Sequence, residues 1–189
     1  MSKPLDNDEL IGVMLNIKEK IENRLDINHR LDTLSSHIPY LRNTFITGLL
    51  EGKIQNKTVM KNKCNEYEIP IPHGNYIVVS FCIDNIPSLP NSVLEKLNEL
   101  MTETIDCAIN TYNFNAFYAN TSPGNIGMVI IREKEHLNVD NFTTKDLLFY
   151  IQKEFASVSD NTLTIGLSKN HTDNSELSTA YNESKIALT

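Results

Sequence analysis

No stretch of this chain contains 18 consecutive apolar residues, so nothing in it reads as a membrane-spanning helix. The opening residues, Met-Ser-Lys-Pro-Leu-Asp, lack the apolar run of a signal peptide. Cysteine is scarce: Cys64, Cys82 and Cys107 are odd in number and far apart. They form no zinc-ligand spacing and no disulfide framework, which fits a reducing cytosol. A basic cluster is also missing. Residues 1–53 carry seven basic and eight acidic side chains, and residues 54–189 carry ten and sixteen, for a total of −7. A piece with that balance is not expected to hold nucleic acid by itself. Five Asn-x-Ser/Thr sequons, starting at Asn56, Asn120, Asn141, Asn170 and Asn182, are what an Asn-rich chain produces by chance.

What is present begins with a long helical pattern from Leu5 to His37. Its apolar residues fall at Leu10, Met14, Ile17, Ile21, Leu25, Leu31, Leu34 and Ile38, mostly three or four apart. In heptad terms Met14, Ile21, Asn28 and Ser35 share one seam position, and Ile17, Arg24, Leu31 and Ile38 share the other. Charged residues fill the remaining faces, so the stripe is narrow. A helix of roughly 30 residues spans about 45 Å, more than a domain of this size needs for its own core. The simplest reading is a parallel two-stranded coiled coil, with a dimer seam through Met14, Ile17, Ile21, Arg24, Asn28, Leu31 and Ile38. Asn28 weakens such a seam while disfavouring other registers. The plainer alternative is a long helix folded back on its own domain.

Pro39 separates this helix from a second one, in which Leu41, Phe45, Ile46, Leu49 and Leu50 form a broader apolar stripe ended by Gly52. A short polar helix follows between Lys57 and Asn65. Tyr76–Ile83 is the strongest strand, β-branched and aromatic with little alternation, as suits a central strand covered on both faces. Ser92 is the expected cap of a helix burying Val93, Leu94, Leu97, Leu100, Met101, Ile105 and Ala108. Phe114–Ala119 and Ile126–Arg132 read as a hairpin with Asn120–Asn125 at its tip. Thr143 or Thr144 opens a helix with Leu147, Leu148, Ile151, Phe155 and Val158 inward. Leu163–Leu167 is a fourth strand, and a last helix from about Ser175 to Leu188 buries Leu177, Ala180, Tyr181 and Ile186 or Ala187. The fold class is α+β. The order β-α-β-β-α-β is the split-βαβ, ferredoxin-like arrangement, with both internal helices on one face of an antiparallel sheet.

Three passages resemble one family. Leu41-Arg-Asn-Thr-Phe45-Ile-Thr-Gly-Leu49-Leu50-Glu-Gly52 resembles the helix that precedes the degenerate GGDEF-like domain of AraC-type two-component response regulators. Thr164-Ile-Gly166-Leu-Ser168, followed by Leu177-Ser-Thr-Ala-Tyr181-Asn-Glu-Ser184-Lys-Ile-Ala187-Leu188, is similar to that family's "GIG" strand and closing helix, with Ser184 where alanine is usual. Lys3-Pro4-Leu5-Asp6 resembles the end of a receiver domain. The resemblance implies a receiver-end helix and coiled-coil linker over residues 1–38, and a GGDEF-like domain with its N-terminal helices over 39–189. It further implies the middle of a larger cytoplasmic protein. The phosphoacceptor would lie before Met1, addressed by a histidine kinase, and a DNA-binding helix-turn-helix after Thr189. The expected role is a non-catalytic, homodimeric signal relay with no membrane partner. The alternative is a small-molecule or nucleotide sensor on the same fold.

Diguanylate cyclases share the implied fold, and their chemistry needs metal-holding carboxylates and backbone close to phosphate. The hairpin tip here, Thr121-Ser-Pro-Gly-Asn125, has no acidic residue and one glycine. The resemblance implies an Asp-x-Asp pair whose first member binds metal; Cys82 stands in that place and Asp84 in the second, where it reads as a turn residue ahead of Asn85. Cys82 and Cys107 read as inert core thiols. His29 and His37 read as solvated helix residues, and His73 as part of a turn. His136 and His171 fall in polar loops with no second ligand type at a useful spacing. Gly124 and Gly166 stand alone, unlike a phosphate-cradling loop. No catalytic, cofactor-binding or metal-binding residue is therefore assigned.

Overall fold

Valine, isoleucine and aromatic residues crowd one nine-residue segment, Asn75–Ile83, and in the computed structural model of the protein it is the inner strand β1. The structure describes residues 18, 20, 21, 37–71, 74–86, 89–132 and 143–189. The chain divides into two compact units, Met1–Leu41 and Arg42–Thr189. In the first, Lys18, Lys20 and Ile21 are helical and exposed.

Residues 37–50 form helix α1. Pro39 lies among these helical residues and is not itself a break between two helices. Gly52, with φ +73, closes α1. Lys53 N–H reaches the Gly48 carbonyl at 2.9 Å and Gly52 N–H the Leu49 carbonyl at 3.1 Å, the paired bonds of a Schellman ending. Helix α2, Lys57–Glu66, is capped by the Asn56 side chain, which accepts from Thr58 and Val59.

After β1 come α3 (Asn91–Thr111), β2 (Ala116–Ser122), β3 (Asn125–Arg132), α4 (Thr144–Ser159), β4 (Leu163–Leu167), a 3-10 turn (Asn174–Glu176) and α5 (Leu177–Ile186). The four strands pair antiparallel in the order β2-β3-β1-β4. β1 is paired along both edges, Cys82 opposite Asn125 on one side and Ile83 opposite Leu163 on the other.

Because side chains alternate along a strand, β1 serves two cores. Ile77, Val79, Phe81 and Ile83 pack with Met101 and Ile105 of α3 and Leu147, Ile151 and Phe155 of α4. Tyr76 and Val78 face the other way, among Phe45, Ile46, Leu49 and Leu50 of α1 and Leu177, Ala180 and Tyr181 of α5. Both faces are covered, which is why the strand shows so little polar alternation.

The structure corrects several sequence expectations. Ser92 is not a cap: α3 starts at Asn91 after Pro90, with no side-chain cap, and the Pro90 carbonyl accepts from Val93 and Leu94. Val93 is exposed, as is Val158 in the last turn of α4, where the chain leaves through Asp160 in the left-handed conformation. The hairpin is longer and tighter than expected. β2 runs on to Ser122, with a register shift between Asn120 and Ser122, and the turn is Pro123-Gly124. Gly124 has φ +77, so the pair supplies the residues a type II turn needs. In α5 the fourth inward residue is Ser184, while Ile186 and Ala187 are exposed. The buried positions 177, 180, 181 and 184 keep the helical spacing that 186 and 187 break.

Thr143 caps α4 in a full capping box. Its hydroxyl accepts from Asp146 N–H, and the Asp146 carboxylate accepts from Thr143 N–H at 2.8 Å. The Thr143 hydroxyl, which also donates to that carboxylate at 2.6 Å, and then the Thr143 N–H hold the Asp146 carboxyl below its usual value. Among the described residues no helix is long and apolar enough to cross a membrane.

Candidate functional site

The resemblance would put nucleotide chemistry where the end of β1, the β2–β3 turn and the start of α3 meet. Asp84 follows the last residue of β1. One of its carboxylate oxygens accepts from the Thr162 hydroxyl and the other from the Thr164 hydroxyl at 2.7 Å. Its backbone N–H donates to the Thr162 carbonyl at 3.0 Å, and Asn85 beyond it takes φ +60. Asp84 is thus the turn residue the sequence suggested, fastened to the start of β4.

At the turn, Gly124 is held on two sides. Its N–H donates to Asn98 Oδ1 of α3 at 2.9 Å, and its carbonyl accepts from Ile83 N–H at 2.9 Å. A Cβ on Gly124 would lie 2.3 Å from Ile86 Cδ1 and 3.4 Å from Leu94 Cδ1. Side chains of the chain itself therefore lie against the one glycine of the turn, and its amide is already bonded. Burial, and then the Asp84 charge, push the half-buried Cys82 thiol up, which disfavours the nucleophilic thiolate. Cys64 is buried and also raised by burial, whereas Cys107 is exposed on α3 and not in the core. Among the described residues no three His, Cys, Asp or Glu side chains form a group that could hold a metal ion.

Of the expected dimer seam, Ile21 and Ile38 lie within the described residues, and both are helical and exposed, at 52% and 49%. Met14, Ile17, Arg24, Asn28 and Leu31 lie outside them, as do His29, His73 and His136. Leu41, one turn beyond Ile38, is also exposed, while Phe45 and Leu49 further along α1 are buried.

Two arrangements were not anticipated. The first ties α1 to the sheet. The Asn43 side chain donates to the Asn120 carbonyl at 3.0 Å and accepts from Asn120 N–H at 2.7 Å, as a neighbouring strand would. Further along, a Cβ on Gly127 would meet Leu50 of α1 at 2.7 Å and Tyr181 of α5 at 3.1 Å. One on Gly52 would meet Ser178 Cβ at 3.0 Å. The glycines mark where α1 and α5 come together over β3.

The second arrangement surrounds His171. Its Nδ1 lies 2.9 Å from Glu176 Oε2 and its Nε2 3.0 Å from Glu183 Oε2. Its backbone exchanges two 2.9 Å hydrogen bonds with Tyr76, and its ring stacks on Tyr76 at 5.9 Å between centroids. Glu176 ends the 3-10 turn and Glu183 lies on α5, and the spacing of the two in the sequence does not point to His171.

No family model matches this chain, and no curated protein sequence matches it. Among solved structures it is similar to the diguanylate cyclase SiaD from Pseudomonas aeruginosa, crystallised in complex with its activator SiaC. The TM-score is 0.49 at 10% identity, covering 96% of this chain and 74% of that one.

Proposed function

We propose that this chain is a non-catalytic signal-relay and dimerisation module on a GGDEF-like fold. In this reading it is the cytoplasmic centre of a bacterial two-component transcriptional regulator, coupling a receiver to an AraC-type DNA-binding domain. The observation that carries the non-catalytic part is the occupied turn: Gly124 N–H bonded to Asn98, Ile86 and Leu94 against it, and Asp84 taken up by two threonines. Nucleotide chemistry would need that backbone free and a metal-holding carboxylate at position 82, where this chain has cysteine. Incubation with GTP and magnesium or manganese is expected to give no cyclic dinucleotide; turnover would overturn the reading. A thermal-shift series with GTP, cyclic di-GMP and sugars separates relay from sensor, since the relay predicts no shift.

The relay part is supported by α1 and α5 meeting over Gly127, so that a change at one helix is felt by the other. The dimer is assigned to the seam Met14–Ile38. Ile38 is exposed, so Ile38→Asp costs the globular unit little and places a charge in the pairing surface. Sedimentation is expected to show a dimer for the parent, and a monomer for Ile38→Asp and for Ile17→Asp/Leu31→Asp. The same species in all three would remove the seam from association.

A further inference from the structure

His171 has a carboxylate oxygen against each ring nitrogen, Glu176 at Nδ1 and Glu183 at Nε2. An ionised carboxylate only accepts hydrogen bonds, while a neutral imidazole has one donor nitrogen and one acceptor. Two carboxylate contacts on one ring therefore require both nitrogens to donate, which only the imidazolium does. We propose that His171 is a proton-operated latch. Charged, it fastens the Asn174–Glu176 turn and α5 to β1 together; neutral, it keeps Glu183 and lets the turn go.

The surroundings decide which arm opens. The His171 side chain is only 10% exposed, and the Tyr76 ring and backbone hold it from the β1 side. The imidazole thus stays in place when it loses its proton, and the loss is felt as a missing partner. Glu183 is the better-held arm: 29% exposed, with the same oxygen accepting from Lys169 N–H at 3.0 Å. Glu176 is 50% exposed, and among the described residues its carboxylate accepts no such second bond. The other ionisable groups nearby are committed elsewhere. The Tyr76 hydroxyl donates to the Asp173 carbonyl at 2.7 Å, and burial pushes its phenol well above the usual range. Asp173 caps Ser175 N–H at 2.9 Å and is held low chiefly by that residue's backbone, with Lys57 of α2 adding to the effect. Lys169 favours the ionised form of Glu183.

The hydrogen bond that His171 donates to Glu183 raises the His171 pKa, against an opposing burial effect and with Glu176 adding to the rise. A raised folded-state value means that the stabilisation is complete below the ordinary imidazole value and is lost as pH rises through the raised one. Glu183 is held low, first by His171, so its contribution disappears only when pH falls through that depressed value. The latch is therefore closed between the ordinary glutamate and imidazole values and opens on the alkaline side. It involves only the Arg42–Thr189 unit, and so does not depend on the relay reading.

The test is a pH titration of the whole chain by NMR, with the His171 resonance assigned through His171→Gln. Amide exchange at Glu176 and Leu177 is read in the same series. The expected results are a His171 midpoint above the ordinary value, lowered more by Glu183→Gln than by Glu176→Gln. Protection of the Glu176 and Leu177 amides should be lost through that same midpoint in the parent, and Glu176→Gln should lack the step. Should Glu183→Gln not fold, Glu176→Gln carries the test, its carboxylate being half exposed. An ordinary His171 midpoint, or a parent-like exchange step in Glu176→Gln, would overturn the latch.

Discussion

Ser184 and Ser80 form a buried pair, Oγ to Oγ at 2.7 Å, between α5 and β1. The Ser184 hydroxyl also reaches the Tyr181 carbonyl at 2.8 Å. A carbonyl can only accept and each hydroxyl has one proton, so Ser184 donates to Tyr181 and Ser80 donates to Ser184. The two alanine substitutions are therefore unequal. Ser184→Ala orphans a buried donor and is expected to cost about 1–3 kcal/mol, whereas Ser80→Ala leaves only an unused lone pair and should cost less. The double variant should recover part of the Ser184→Ala loss. Urea unfolding of the three variants checks this, and equal single-site losses would reject the assigned direction. None of it was legible in the sequence, where Ser184 only marked a departure from alanine. A polar residue on an apolar helix face does not disclose a partner on a distant strand. His171 was misjudged for the same reason: its ligand-poor sequence neighbourhood said nothing about the two carboxylates that folding brings to it.

Local chemistry made the elements legible where each carries its own signal. Thr143 and Thr144, before an apolar run, announced the start of α4, and the capping box is at Thr143. Thr143→Ala is expected to cost about 1 kcal/mol, read from the urea midpoint at unchanged slope. α3 sends no such signal, because Pro90 sets the chain direction and no side chain caps it. The length of β2 was missed because the shift between Asn120 and Ser122 hides the alternation that would have revealed it. Gly166 could be placed on β4 but not explained. A Cβ there would lie 2.0 Å from the Ser184 carbonyl oxygen and 3.0 Å from Leu188 N, both backbone atoms that move only with the helix end. Gly166→Ala is expected to cost about 1–3 kcal/mol and to remove amide protection from Ala187 to Thr189. An unchanged exchange pattern would show that α5 does not need the close approach.

At the scale of the molecule, topology followed from one strand. A β1 apolar on both faces had to be central, and the element order left the split-βαβ sheet as the economical arrangement. The occupied turn was only half legible. The missing acidic residues could be read off, but Asn98 and Ile86 reach Gly124 only once α3 has packed. The seam from Met14 to Ile38 rests on periodicity, apart from the exposure of Ile21 and Ile38. If that seam pairs, bulk added where α1 meets α5 should be felt there. Ser178→Leu, against Gly52, is expected to shift the self-association constant, while Phe149→Ser, at an exposed position on α4, leaves it unchanged. Sedimentation equilibrium distinguishes the two, and identical constants would disconnect the helices.

The meeting of α1 and α5 over Gly127 also has a thermodynamic corollary. Linkage is reciprocal: a factor by which pairing at one end changes affinity at the other must be returned unchanged in the opposite direction. If the seam pairs, whatever grips α5 would strengthen or weaken that pairing by the same factor. A relay so built would be read as faithfully backwards as forwards.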